Sequence, residues 1–134
     1  MDTIADFIRT HDRFAAHNDM ELVEMSAGRA VARLVLQPHH YNGVGTAHGG
    51  AIFALGDLAF AAASNSYGAV AVGISVSIQY VKAARGGTLT ATARETSLGG
   101  RLATYAVDIT DDAGDLIAIF QGMVYRKRET LIEA

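Results

Sequence analysis

Apolar residues are concentrated in one run, residues 51–63, where every position but one is Ala, Ile, Phe, Leu or Gly. A run of that length, rich in Ala and Leu, predicts a helix over about 49–66. Its lack of a polar face predicts burial by protein on all sides. The one exception is Asp57. A carboxylate buried without partners costs several kcal/mol at least, so stability alone does not account for it.

Elsewhere the pattern changes period. Residues 2–17 place Ile4, Phe7, Ile8 and Phe14 at helical spacing, which predicts one covering helix with Asp2 or Thr3 as its N-cap. Over 21–36 the period is two: Ala30, Ala32, Leu34 and Leu36 share one face, and Arg29, Val31, Arg33 and Val35 the other. With Ser26, Ala27 and Gly28 as the turn, this is a hairpin. The only Pro and a glycine-rich loop, 42–50, lead into the long helix. Beyond it, 70–81, 88–96, 102–110 and 116–126 read as strands separated by turns at 85–87, 98–101 and 111–115, and the polar tail 127–134 is expected to fray. The expected architecture is α+β, with a curved antiparallel sheet of five to six strands wrapped around one long central helix. A sheet has only one inner face, so one side of the helix is left for a second copy to cover.

Composition narrows the partners. The 134 residues suit a single domain, and the absence of Cys excludes disulfides, thiolate metal sites and a cysteine nucleophile. A net charge of −3 argues against a general nucleic-acid binder. The acidic N-terminus lacks the pattern of a secretion signal. The apolar run is shorter than the roughly 20 residues of a membrane span. A soluble, cytoplasmic protein is expected. His39, His40 and His48 match no familiar metal spacing, and GVGTAHGG (43–50) lacks both the dinucleotide fingerprint and the Lys of a phosphate-binding loop.

Two groups carry candidate chemistry. Unpaired N–H groups at Gly49 and Gly50, at the positive end of the helix dipole, can stabilise an oxyanion, which is worth about 3 to 4 kcal/mol when well aimed. Asp57 can serve as base or nucleophile. The two lie eight residues apart, about 12 Å along the helix axis, so one carbonyl cannot touch both groups of one chain. Antiparallel packing of two such helices about a two-fold axis brings Asp57 of one beside Gly49 of the other, which predicts an obligate dimer with shared sites.

The run HGGAIFALGD (48–57), preceded by Asn42 and followed by GISVSIQYVKAARGGTLTATA (73–93), closely resembles the hotdog-fold acyl-CoA thioesterases of the phenylacetate-pathway (PaaI) type. The resemblance covers about residues 20–126. It implies that the Gly49 N–H polarises the thioester carbonyl while Asp57 of the partner chain activates water or attacks directly. It also implies that His48 braces the loop and Asn42 helps place water or the thioester. A Ser or Thr in the following strand often steadies the attacking group. Counting from Asp57 gives Ser75, aligning on Tyr80 gives Gly73, and Ser75 is named because Ser75 and Ser77 are expected to share Gly73's side of the strand. Coenzyme A is implied to bind around Gly50, Tyr80, the 99–101 turn (Gly99, Gly100, Arg101) and Arg126 or Lys127, with Lys82 and Arg85 as phosphate contacts. The thioester is the substrate; no cofactor or metal is implied, and the family often forms homotetramers. Alternatives on the same scaffold are an acyl-thioester hydratase or dehydratase and a non-catalytic acyl-CoA binding module.

Overall fold

A computed structural model describes residues 3–132. The chain opens with two short helices, α1 (Thr3–His11) and α2 (Arg13–His17), where the sequence predicted one. The break falls at Asp12. Its side chain turns back to accept the Ala15 N–H at 3.0 Å, capping a new helix in place of continuing the old one. Of the two expected caps at the chain start, Thr3 is already helical and Asp2 lies outside the described residues.

β1 (Met20–Ser26) and β2 (Arg29–Val35) form the expected hairpin, and Gly28 takes the left-handed φ of 71° that the tight turn requires. The period-two face is the core face: Ala30, Ala32 and Leu34 are fully buried. A 3-10 turn, Pro38–His40, leads through the glycine-rich loop into the long helix α3 (Gly49–Ser64). β3 (Ala69–Tyr80), β4 (Thr88–Leu98), β5 (Leu102–Thr110) and β6 (Leu116–Thr130) complete one sheet. All its pairings are antiparallel, in the order β1-β2-β4-β5-β6-β3. The curved sheet wraps one side of α3, the architecture expected from the sequence. β6 runs four residues beyond its expected end, because Thr130 pairs with Ala69 and Leu131 N–H donates to Gly68 O; much of the tail is therefore strand.

Helix and sheet approach closely because two glycines permit it. A Cβ at Gly56 would stand 2.9 Å from the Phe120 ring, and one at Gly122 would stand 2.6 Å from the Phe60 ring. At the far end of the helix, Asn65 donates to Ala61 O and Ala71 O and accepts from Ala71 N–H, which pins the helix terminus to β3.

Burial of α3 is one-sided. Ile52, Leu55, Gly56, Leu58, Ala59, Phe60, Ala62 and Ala63 face the sheet, whereas Gly50, Phe53 and Asp57 are exposed and Ala54 and Ala61 half-buried. The expectation of burial on all sides is not met within one chain. The open positions recur every three or four residues, so they form one stripe along the helix. Among the described residues, no helix is long and apolar enough to cross a membrane.

Candidate active site

The loop before α3 delivers one free donor. His48 is the N-cap, and its Nδ1 accepts the Gly50 N–H at 2.8 Å, while its carbonyl accepts from Ala51 and Ile52 N–H. Gly50 is therefore not the open donor that the sequence suggested. Of the first-turn amides, only Gly49 N–H has no acceptor among the described residues. Tyr80 fixes that residue from the other side, its hydroxyl donating to Gly49 O at 2.9 Å. A Cβ on Gly49 would sit 3.2 Å from the Tyr80 ring, so glycine suits the close fit.

Asn42 and His48 shape this corner. The Asn42 Oδ1 accepts Val44 and Thr46 N–H at 3.0 and 3.1 Å, and its Nδ2 donates to Thr46 Oγ1 at 2.8 Å, so most of its hydrogen-bonding capacity holds the loop. With Nδ1 accepting, neutral His48 carries its proton on Nε2. The His48 N–H donates to His40 O at 2.8 Å. A cavity of about 300 Å³ brings Asn42, Gly49, Tyr80 and Lys82 together.

Asp57 lies elsewhere on the same helix, about 12 Å along its axis and about 80° around it from Gly49. It opens into a different cavity, of about 290 Å³, lined by Asp12, Phe14, Ala15, Phe53, Ala54 and Leu58 among others. The carboxylate reaches solvent, yet apolar walls crowd it. Burial pushes its pKa up, and the Asp12 charge pushes in the same direction. Asp12 and Phe14 were not among the residues predicted from the sequence. Their sole sequence signal is a helical pattern too ordinary to mark a site.

The remaining predicted residues divide between the two ends of the sheet. Near Gly49, the Lys82 ammonium is held by the Asp115 carboxylate, with Asp111 at 3.9 Å, and Asp115 raises the pKa of the lysine. Arg85 is exposed in the loop between β3 and β4. At the other end, Arg126 Nη1 donates to Gly99 O at 3.0 Å, and its guanidinium lies 5.6 Å over the Tyr67 ring. Arg101 Nη1 donates to Arg126 O at 3.2 Å, Lys127 pairs with Glu129 at 3.6 Å, and Gly100 faces open space. The β3–β6 register sets Arg126 opposite Ala71 and Ala118 opposite Tyr80, which separates the two groups by about 30 Å within one chain.

Ser75 corrects an expectation. The β3–β6 pairing shifts between Gly73 and Ser75, leaving Ile74 as a bulge. Gly73 lies opposite buried Val124 and against Phe60, whereas Ser75 lies opposite Met123, and Val76 and Ile78 pack on the core. Ser75 and Ser77 therefore face outward, away from Gly73's side and from their own α3. The structure also gathers Asp19, His39 and His40 within metal-ligand range. The buried His40 has both ring nitrogens engaged, Nδ1 accepting Gln37 N–H at 2.8 Å and Nε2 donating to Asn18 O at 2.9 Å. That leaves two ligands, a poor cation site.

Comparison with known proteins identifies the family and the fold. The thioesterase superfamily model matches residues 44–118, more than half of the chain. A putative esterase of Archaeoglobus fulgidus is 42% identical over 130 residues, covering 96% of this chain and 84% of that protein. The acyl-coenzyme A thioesterase PaaI of Escherichia coli is 32% identical over 117 residues, covering 87% and 84%. Among solved structures, the E. coli PaaI protein from the phenylacetic acid degradation operon superposes with a TM-score of 0.88 at 29% identity, covering 96% of this chain and 99% of that one. A free amide at a helix start, an acid on the open stripe of that helix and a sheet wrapped around its other side thus accompany a family match: the chain belongs to the thioesterase superfamily and has its hotdog fold.

Proposed function

We propose that this chain hydrolyses acyl-CoA thioesters at sites shared by two copies of itself. The observation that carries the reading is the split on α3: the free Gly49 N–H and the Asp57 carboxylate point into different cavities of one chain. An acyl transfer site needs its oxyanion donor and its attacking group on the same carbonyl, within about 3 Å. A second copy, packed antiparallel on the open stripe of α3, sets its Asp57 beside this Gly49 and the reverse.

In that arrangement the thioester carbonyl oxygen accepts the Gly49 N–H, and negative charge develops at the positive end of the helix dipole. Asp57 of the other copy takes a proton from water as the water oxygen bonds to the carbonyl carbon, or attacks that carbon itself to form an anhydride that water then hydrolyses. Either way the C–S bond breaks, giving a free acid and the coenzyme A thiol. Crowding favours the role of base, since a carboxylate with a raised pKa is the stronger proton acceptor. His48 orients the helix start. Its Nδ1 is already an acceptor, which weighs against a hydratase using it as base. Tyr80 flanks the thioester end of the substrate; Lys82, paired with Asp115, and Arg85 stand toward that end instead of at the phosphates, which Arg101, Arg126 and Lys127 of the other subunit receive.

The test is subunit complementation. Asp57→Asn removes the acid; Gly49→Pro removes the donor, Pro being tolerated at the first helical position after the extended backbone of His48 (ψ of 134°), and it also presses on the Tyr80 ring, 3.2 Å from a Cβ there. In a thiol-release assay over an acyl-CoA panel, each variant alone is expected to lose at least about 100-fold in turnover. Unfolded and remixed in equal amounts, they regain about a quarter of wild-type activity, since half of the dimers are mixed and each mixed dimer has one intact site. Mixtures no more active than the single variants refute the shared site. A wild-type chain that releases no thiol from any acyl-CoA refutes the activity.

A further inference from the structure

The cleft beside Asp57 holds a second carboxylate that hydrolysis does not require. Asp12 stands at the break between α1 and α2, its Oδ1 fixed by the Ala15 N–H at 3.0 Å. No ion pair reaches Asp12 among the described residues. Arg9, which lines a neighbouring cavity together with Asp12, is committed elsewhere. Its Nε donates to Leu22 O at 3.0 Å, its Nη2 to Val23 O at 3.4 Å, and its Nη1 to Asp6 at 3.4 Å. Asp12 thus has no ion-pair partner among the described residues, and no basic side chain lines the cleft it faces.

The rest of the cleft is apolar. Phe14, 66% exposed on α2, and Phe53, on the open stripe of α3, both line it, with Ala15, Ala54 and Leu58 between them. A phenylalanine this exposed on a five-residue helix contributes little to the chain's own core. Resting on the thioesterase reading, we propose that this cleft receives the acyl group, with Phe14 and Phe53 as its walls, and that Asp12 is a specificity-determining residue that excludes acyl groups ending in a carboxylate.

The physical basis is like-charge repulsion in a cleft of reduced polarity. For two charges about 8 Å apart at an effective dielectric of about 20, repulsion weakens binding about thirtyfold. Asp57 is felt by every substrate and is needed for turnover. Asp12 adds its charge deeper along the acyl path, where only a substituent remote from the thioester meets it. The substrate class is therefore a neutral acyl thioester, aliphatic or aromatic, with a body that fits about 290 Å³. The upward shift of the Asp57 pKa by Asp12 is consistent with two carboxylates sharing one cleft.

The experiment compares hexanoyl-CoA with adipoyl-CoA, matched in chain length but differing in a terminal carboxylate. Asp12→Asn keeps an oxygen to cap Ala15 and removes only the charge. Wild-type protein is expected to prefer the neutral substrate by about thirtyfold or more in kcat/KM, and Asp12→Asn to cut that preference by about thirtyfold. Because a ratio is read, a loss common to both substrates cancels. In parallel, Phe14→Ala is expected to reduce the preference for hexanoyl-CoA over acetyl-CoA by about fivefold or more. Turnover with both preferences unmoved overturns the acyl cleft and leaves the thioesterase reading standing; no turnover of any thioester by wild-type protein removes both.

Discussion

The two long faces of α3 follow opposite rules. The sheet-side face is finished: Leu55, Ala59, Ala62 and Ala63 are fully buried, and Gly56 and Gly122 let helix and strand meet at ring-contact distance. The other face, through Gly50, Phe53 and Asp57, is apolar enough to need cover yet its own chain covers it only at the margins, Phe14 and Ala15 bordering the cleft and the Phe53 ring leaning on Phe120. The first face specifies the fold, and the second carries the proposed site. A helix without a polar side, placed against a sheet that covers only one side, has its remaining side available for a ligand and another copy. The comparison also separates the effects of mutation: changes on the sheet side should act on stability and changes on the open side on association and turnover.

The largest expected effect is at the middle of the open stripe. If Gly49 of one copy stands beside Asp57 of the other, the two-fold axis passes near the midpoint of those positions, which is residue 53. Phe53→Arg sets two guanidinium groups against each other there, in a surface that must lose water to form. The variant is expected to sediment as a monomer and to lose nearly all thioesterase activity, while its far-ultraviolet circular dichroism stays that of wild type. An active Phe53→Arg monomer would end the division between the two faces.

On the sheet side, Gly122→Ala forces a methyl to within 2.6 Å of the Phe60 ring, which is only 2% exposed and wedged against Tyr105 and Phe120. Overpacking at such a site costs about 1–3 kcal/mol. Chemical denaturation should show that loss, with an unchanged m-value and kcat within about twofold of wild type. A large fall in turnover without loss of stability would mean that the sheet side, too, takes part in the reaction.

Most of the architecture was legible from the sequence because period and turn chemistry are local. The alternation of Ala30, Ala32 and Leu34 and the all-apolar α3 each settled an element without reference to the rest of the fold. The failures have a different origin. One helix or two over 2–17 present the same apolar spacing, and only the choice of Asp12 to cap Ala15 decides between them. The Ile74 bulge leaves no mark in residue type, yet it inverts the facing of Ser75. Lys82 is neutralised by Asp115, 33 positions away, a pairing that depends on the course of the sheet. In the site, spacing alone exposed the Gly49–Asp57 conflict, and resemblance supplied the roles. That His48 spends the Gly50 amide and leaves Gly49 open became visible only in three dimensions.

The smallest expected effect tests whether the open face is covered in solution. The Asp57 pKa is raised in the folded chain, first by burial and then by Asp12. Below the ordinary value of 3.8, folded and unfolded chains both hold the proton, and Asp57→Asn differs from wild type by a constant. As pH rises through 3.8, the unfolded chain releases its proton first. The folded state then binds more protons than the unfolded one, so wild type loses stability relative to the variant with rising pH. The loss levels off once pH passes the raised folded value. In a lone chain the slope should be shallow, because water still reaches the carboxylate. A second copy seated on the stripe deepens the burial, raises the pKa further and lengthens the pH range over which the two proteins diverge. Urea denaturation of both proteins between about pH 4 and pH 8, at protein concentrations that favour monomer and then dimer, reads this directly. A divergence that widens with concentration indicates that a copy covers the open face; one indifferent to concentration leaves that face in water.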